Sequence, residues 1–281
     1  MLLSSRRHRF HPLISSVDGK RESFHAHRAS NARSSTSAST DVSFIQAPKE
    51  MAMREETEEL VTVPVGRVEL VGDLAVPYGA GGLIVFAHGG DGSRRSPRNR
   101  FVAEALRRSG LATFLFDLLT EEEEGRQEAG AELELDIPRL AERLDAVTAW
   151  LELTSPTRGL PMGYFGASTG AAAALIAAAE RPGAVRAIVS CGGRPDLAGE
   201  WVPRVQAATL FIVGSGDKAA VRSSEEALRS MFARGQLVLV PGATHLDEPG
   251  AFEEVGRLAS QWFADHLFAS PGLGAHAHGL R

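Results

Sequence analysis

Short apolar runs recur along the chain between longer amphipathic stretches, and the two alternate from about residue 60 onward. Runs at Leu60 to Pro64, Arg67 to Val76, Leu83 to Ala87, Ala112 to Phe116, Met162 to Phe165, Ala187 to Ser190, Leu210 to Val213 and Leu237 to Val240 have strand length and are bounded by turn residues. Helical patterns fill the gaps, beginning at Pro97, Asp136, Thr169, Ser223 and Pro249. Strands that alternate with helices predict an α/β fold, a mainly parallel sheet of about eight strands covered by helices on both faces. The first two runs meet near Pro64 to Arg67 and read as an antiparallel edge. Only Cys191 to Ala207 lies between the sixth and seventh strands, too little for a cap domain, so an open site is expected. The acidic stretch Leu118 to Asp136, with Glu121 to Glu124, reads as a loop, either solvated or partly covering that site.

The strand ending at Phe165 runs into Gly166-Ala167-Ser168-Thr169-Gly170 and then the alanine-rich Ala171 to Ala179. A strand that turns sharply into a helix holds the serine hydroxyl at the tip of a strained bend, and glycines on both sides let strand and helix cross closely. This is the pattern of a nucleophilic serine. Phosphate-cradling alternatives lack their parts: no GxGxxG follows a strand with an acidic residue about 20 positions on, and no GxxxxGK[ST] occurs.

A serine hydroxyl needs a base within reach and an acid to orient that base. Of nine histidines, His8, His11, His25 and His27 lie near the start, and His276 and His278 near the end. His266 falls on an amphipathic helical stretch, and His88 precedes Gly89-Gly90, where backbone rather than side chain matters. His245, in Pro241-Gly242-Ala243-Thr244-His245 after the last strand, is the expected base. Asp217, after Leu210 to Val213, is the expected acid; 49 residues separate it from Ser168 and 28 from His245. Asp196 is the rival, with a turn or helix-capping role as its alternative. The order serine, acid, histidine suits this strand-to-helix turn. Backbone N–H groups of Thr169 and Gly90 are the candidate oxyanion donors, the second from His88-Gly89-Gly90-Asp91-Gly92. Arg94 and Arg98 follow that loop and are candidates to hold a substrate carboxylate or phosphate, or simply solvated residues at a helix start.

Together the segments Phe86-Ala87-His88-Gly89-Gly90, Ser96-Pro97-Arg98-Asn99, Asp117 to Glu123, Gly163 to Gly170, Gly192 to Leu197 and Pro241 to His245 resemble the dienelactone hydrolase-like family of the α/β-hydrolase superfamily, over about residues 60 to 268. The subgroup it most resembles is sometimes fused to a phosphoribosyltransferase domain. The resemblance implies Ser168, Asp217 and His245 as a catalytic triad, and Arg94 and Arg98 match a family segment. The elbow here carries serine where dienelactone hydrolases proper carry cysteine. Related sequences often have arginine at the position of Cys191, the only cysteine, so a catalytic thiol is not expected there.

Composition agrees with one enzyme-sized domain: 281 residues, 43% hydrophobic and 23% charged. Residues 1–40 hold ten serines, seven Lys or Arg, and only Asp18 and Glu22 as acids. Their +5 against −5 for the whole chain leaves −10 for the rest. The expected division is a leader at 1–55, a hydrolase domain at 56–269 and a loose tail at 270–281. The leader resembles an organelle transit peptide, or marks a start assigned ahead of Met51 or Met53, with a disordered arm as the third reading. An acidic folded part without a basic stripe argues against a nucleic-acid partner, and no run of 18 apolar residues supports a membrane span. A single cysteine suits a reducing compartment or simply a fold that needs no disulfide; the expected location is cytoplasmic, or an organelle if the leader is genuine. Neither metal nor organic cofactor is expected; the partner is a small ester, with no oligomeric state implied. The expected chemistry is hydrolysis of carboxylic esters or related acyl compounds such as lactones, through an acyl-enzyme. Thioesterase or acyltransferase activity uses the same groups, and a catalytically silent binding protein is the alternative from another class.

Overall fold

The computed structural model describes residues 58–88, 94–128, 136–248 and 250–268, side chains at 126–128 excepted. The leader at 1–55, the tail at 270–281 and Gly90 therefore lie outside the described residues. One eight-stranded sheet runs through the domain in the order β1-β2-β4-β3-β5-β6-β7-β8. Its strands are β1 (Glu58–Val65), β2 (Val68–Ala75), β3 (Leu83–His88), β4 (Ala112–Phe116), β5 (Met162–Ala167), β6 (Ala187–Cys191), β7 (Ala208–Gly214) and β8 (Gly235–Val240). β1 and β2 form the antiparallel edge, β2 pairs antiparallel with β4, and every other pairing is parallel. Central strands such as β3 and β4 are buried along their whole length because helices cover both faces.

The helices are α1 (Pro97–Arg108), α2 (Glu121–Glu128), α3 (Ile137–Leu153), α4 (Thr169–Glu180), α5 (Lys218–Ser230) and α6 (Ala251–Leu267). The core divides at the sheet. On one side Leu83, Val85, Phe114 and Tyr164 pack against α3 and α4. On the other Phe86, Phe165 and Val189 pack against α1 and α6. α4 is buried from Gly170 to Ala179, in keeping with its composition: alanines on most positions, with Leu175 and Ile176 between them, let it pack close to the sheet. Between β6 and β7 there is only a short 3₁₀ segment, Pro195–Arg204, and no cap domain. No helix among the described residues is long and apolar enough to cross a membrane.

Two expectations about elements are corrected. The acidic stretch after β4 is not simply a loop: Glu121–Glu128 is helical, set off by a reciprocal cap in which Thr120 N–H donates to Glu123 Oε2 and Glu123 N–H to Thr120 Oγ1. Arg143, buried in α3, then grips the Glu123 carboxylate with both Nη groups (2.6 and 3.0 Å). That hydrogen bonding is the main reason the Glu123 carboxyl is pulled down to about 2. Helix α5 starts at Lys218 rather than Ser223, because Asp217 caps it.

The parallel register sets three strand ends side by side. His88 of β3 pairs with Ala167 of β5, and Ala167 with Cys191 of β6. Residues just beyond these ends therefore share one rim of the sheet, the carboxyl edge where ligands bind in open α/β folds.

Candidate active site

Ser168 stands alone between β5 and α4 at φ 52°, ψ −126°. A non-glycine residue there stores strain that only the surrounding packing sustains. The packing is visible at the flanking glycines. A Cβ on Gly170 would lie 2.2 Å from the Ala87 carbonyl oxygen of β3, and one on Gly166 would lie 2.5 Å from Ala171 Cα. The bend is thus clamped between two strands and its own helix. Arg194 N–H donates to the Ser168 carbonyl (3.1 Å) and closes the rear of the turn. Thr169 is the first residue of α4, so its N–H belongs to the first turn, where no intrahelical acceptor exists. It is available to a bound oxyanion.

The candidate base comes from a different kind of segment. His245 lies in the loop after β8, exposed to solvent, and is followed by Leu246 at φ 60°. Leu246 is 1% exposed, its side chain sunk into the core beside α6. Among the described residues Ser168 and Leu246 are the two non-glycine positions with positive φ, and both border the same cavity. Behind them the Glu248 carboxylate accepts from Thr244 N–H and His245 N–H. Those backbone donors, Thr244 first, hold its carboxyl below the usual carboxylate range. Sequence reasoning missed Leu246 and Glu248. The Thr244 to Glu248 spacing offered only a weak capping signal, and nothing in the sequence marks a positive φ at leucine.

A cavity of about 70 Å³ opens between Ser168 and His245 and runs between α1 and α6. Arg98, Asn99 and Val102 of α1 border it, as do Phe165, Cys191 and, from α6, Phe252 and Val255. Ser168 and His245 are therefore brought to one cavity. Asp217 is brought to the adjoining turn. Gly216 N–H donates to Ala243 O (2.9 Å), Ser215 N–H to Val240 O (3.0 Å) and Gly242 N–H to Ser215 Oγ (3.2 Å). A Cβ on Gly214 would lie 2.5 Å from Thr244 O, so the turn carrying Asp217 is seated directly on the loop carrying His245. Asp217 Oδ1 accepts from Ala219 N–H (3.1 Å) and Ala220 N–H (2.9 Å) and caps α5. Among the described residues no hydrogen bond joins the His245 ring to Asp217 or to Ser168.

The rival acid is differently employed. Arg194 binds Asp196 through two nitrogens (3.0 and 2.7 Å), and Ser223 Oγ adds a third contact. Arg194 holds the Asp196 carboxyl below its ordinary value. The two arginines expected at a substrate also part company. Arg98 borders the cavity, its guanidinium 5.4 Å from the centre of the Phe252 ring. Arg94 turns away: its Nε meets Asp117 Oδ2 (3.0 Å) and its Nη1 meets Asp73 Oδ1 (3.0 Å), with the side chain 12% exposed. Two carboxylates saturate it, so the expectation that Arg94 holds substrate gives way to a role in joining β2, the end of β4 and the segment before α1. Cys191 borders the cavity, but burial pushes its thiol up to about 12, and a protonated thiol is a poor nucleophile. His266 bonds the Trp262 carbonyl within α6 and stacks near that ring, a packing role. Among the described residues no group of three or more His, Cys, Asp or Glu is arranged to hold a metal ion.

An eight-stranded sheet in this order, with a strained serine on the turn after β5 and a histidine after β8, defines an α/β-hydrolase enzyme. The crystal structure of a dienelactone hydrolase from Anabaena variabilis is 51% identical in sequence, covering 75% of this chain and 99% of that one, with a TM-score of 0.73. The chain belongs to the dienelactone hydrolase family. Est1E from Butyrivibrio proteoclasticus, 16% identical, shares the fold at a TM-score of 0.62 over 74% of this chain and 98% of its own. Curated proteins of two Mycobacterium tuberculosis strains, provisionally named phosphoribosyl transferases, are 52% identical over 216 residues, or 76% of this chain. The chain spans about half the length of those relatives, 48%. No family model matches.

Proposed function

We propose that the chain is a serine esterase acting by two-step acyl transfer. The observation that carries this reading is the strained Ser168 bordering one cavity with His245. His245 takes the Ser168 proton as the hydroxyl attacks an ester carbonyl carbon, and returns it to the departing alcohol oxygen. Thr169 N–H receives the oxyanion, with Gly90 N–H as its partner donor. Water then attacks the acyl-enzyme and gives a proton to His245, which passes it to Ser168 Oγ as the acyl–oxygen bond breaks and the acid leaves. Asp217 serves as the acid of the triad, orienting His245 from the turn packed beneath it. Lactones, thioesters and acyl transfer to another alcohol fall within the same chemistry. Arg98 adds a preference for substrates with an anionic group near the scissile bond.

The test is hydrolysis of p-nitrophenyl esters and titration with a serine-reactive phosphonate. One phosphonate should be bound per chain, and Ser168→Ala should remove both labelling and at least about 1,000-fold of kcat. His245→Ala should do nearly the same, while Asp196→Asn stays within a few-fold of the parent. Turnover that survives Ser168→Ala would overturn the proposal.

A further inference from the structure

The two outer strands of the sheet differ in how their free edges are guarded. β1 carries Glu58 and Glu59 at its start and Pro64 near its end, the charges and proline that discourage pairing at an open edge. β8, at the other end of the strand order, reads Gly235-Gln236-Leu237-Val238-Leu239-Val240 and has neither. The ends of its ladder with β7 fix which groups point outward: Thr209 N–H donates to Arg234 O (2.9 Å) and Ser215 N–H to Val240 O (3.0 Å). Alternate residues of a strand bond to the same neighbour, so the backbones of Arg234, Gln236, Val238 and Val240 face β7. Gly235, Leu237 and Leu239 therefore turn N–H and C=O away from the sheet, where no strand among the described residues meets them. Phe232, just ahead of the strand, is 92% exposed.

We propose that β8 pairs antiparallel with β8 of a second copy of this chain, about a two-fold axis at Leu237, and joins two sheets into one. The occupant follows from the strand itself, because its outward positions are symmetric about Leu237. Leu237 faces its own counterpart, Gly235 faces Leu239 of the second copy and Leu239 faces Gly235, and each such pair exchanges both N–H···O bonds. Pro241, the next outward position, has no N–H and ends the ladder. Moving the axis to Gln236 sets Leu239 against the bend at Ala233, and moving it to Val238 sets Gly235 against that proline, so the axis at Leu237 pairs the most groups. Side chains agree with this register. Leu239 meets Gly235 where Leu228 of α5 packs over it, apolar against apolar. Antiparallel pairing also brings the start of one strand, flanked by exposed Phe232, Arg229 and Arg234, beside the end of the other, which leads to exposed Gly242 and Asp247. A two-fold of this kind uses the same edge on both copies and closes after two.

The pairing involves no step at Ser168, so its test is separate from that of the esterase reading. Sedimentation of the full chain over a concentration series should show a monomer–dimer equilibrium. Leu237→Pro should leave a folded monomer at every concentration, since the N–H it removes makes no bond to β7. Leu237→Cys, on oxidation, should give a disulfide-linked dimer: directly paired Cα atoms lie about 5.5 Å apart, within the span of a disulfide. Leu239→Cys should not, because its counterpart stands about 13 Å further along the partner strand. Cys191 is buried and takes no part. A parent chain that is monomeric throughout, a dimer that persists in Leu237→Pro, or equal cross-linking of the two cysteine variants would overturn the proposal. Should Leu237→Pro fail to fold, the two cysteine variants decide by themselves.

Discussion

The candidate nucleophile and the candidate base of this site are held by opposite means. Ser168 sits where β5, β3 and the fully buried α4 meet, and the tight contacts around it are backbone against backbone. His245 sits on an exposed loop: the residues before it rest on the Gly214 turn, but His245 itself is followed by one sunken leucine and flanked by a carboxylate gathering two N–H groups. Close packing tolerates almost no displacement, whereas a loop secured by a few hydrogen bonds gives way by degrees. Substitutions around the serine should therefore act all at once, and those around the histidine gradually.

The hardest test of that contrast is Gly170→Ala. Its added methyl meets the β3 backbone at 2.2 Å, and backbone cannot rotate aside. Overpacking of this kind costs about 1–3 kcal/mol, and a shift of the elbow of about 1 Å should lower kcat about 100-fold. Parent-like activity with an unchanged melting temperature would show that the elbow is not clamped.

Acid titration sharpens the comparison by separating whole-domain stability from the site. Glu123 has its carboxyl lowered to about 2 from 4.5. Its contribution to stability is therefore fully present above about pH 4.5 and lost as the pH falls toward about 2. At full strength it amounts to at most about 3 kcal/mol. Glu123→Gln should lower stability at pH 7 and flatten the acid limb of a melting-temperature profile, while kcat at pH 7 changes little. An acid limb identical to the parent would rule out the Glu123–Arg143 pair as its source.

The smallest effect belongs to the loop that carries His245. Glu248→Gln keeps an acceptor oxygen for the Thr244 and His245 N–H groups but removes its charge. It should lower kcat several-fold with little change in melting temperature. A loss as large as that of Gly170→Ala would mean that the two halves of the site are equally rigid.

Legibility followed the range of the interactions involved. Strand positions and the elbow pentapeptide were readable because apolar runs and flanking glycines are local signals, and the structure extends most of the expected strands by only a residue or two. The first turn of α2 was missed although Thr120 and Glu123 spell a capping box, because the charge run around it read as a solvated loop. The start of α5 slipped from Lys218 to Ser223 for a related reason: Asp217 was weighed as a catalytic acid and not as a helix cap. The arginines could not be told apart from sequence. Arg94 and Arg98 are four residues apart in sequence, and only the positions of Asp73 and Asp117, 21 and 23 residues from Arg94, decide that one is paired with carboxylates while the other borders the cavity.

By itself the sequence determined the alternation of strands and helices, the serine on its bend and the order in which candidate acid and base follow it, since each is written in neighbouring residues. Tertiary structure alone decided which charged groups are already paired, which loop is seated on which, and how much room remains beneath Ser168. Those outcomes depend on side chains that meet only after the sheet has assembled, and close packing leaves each of them a single place to go.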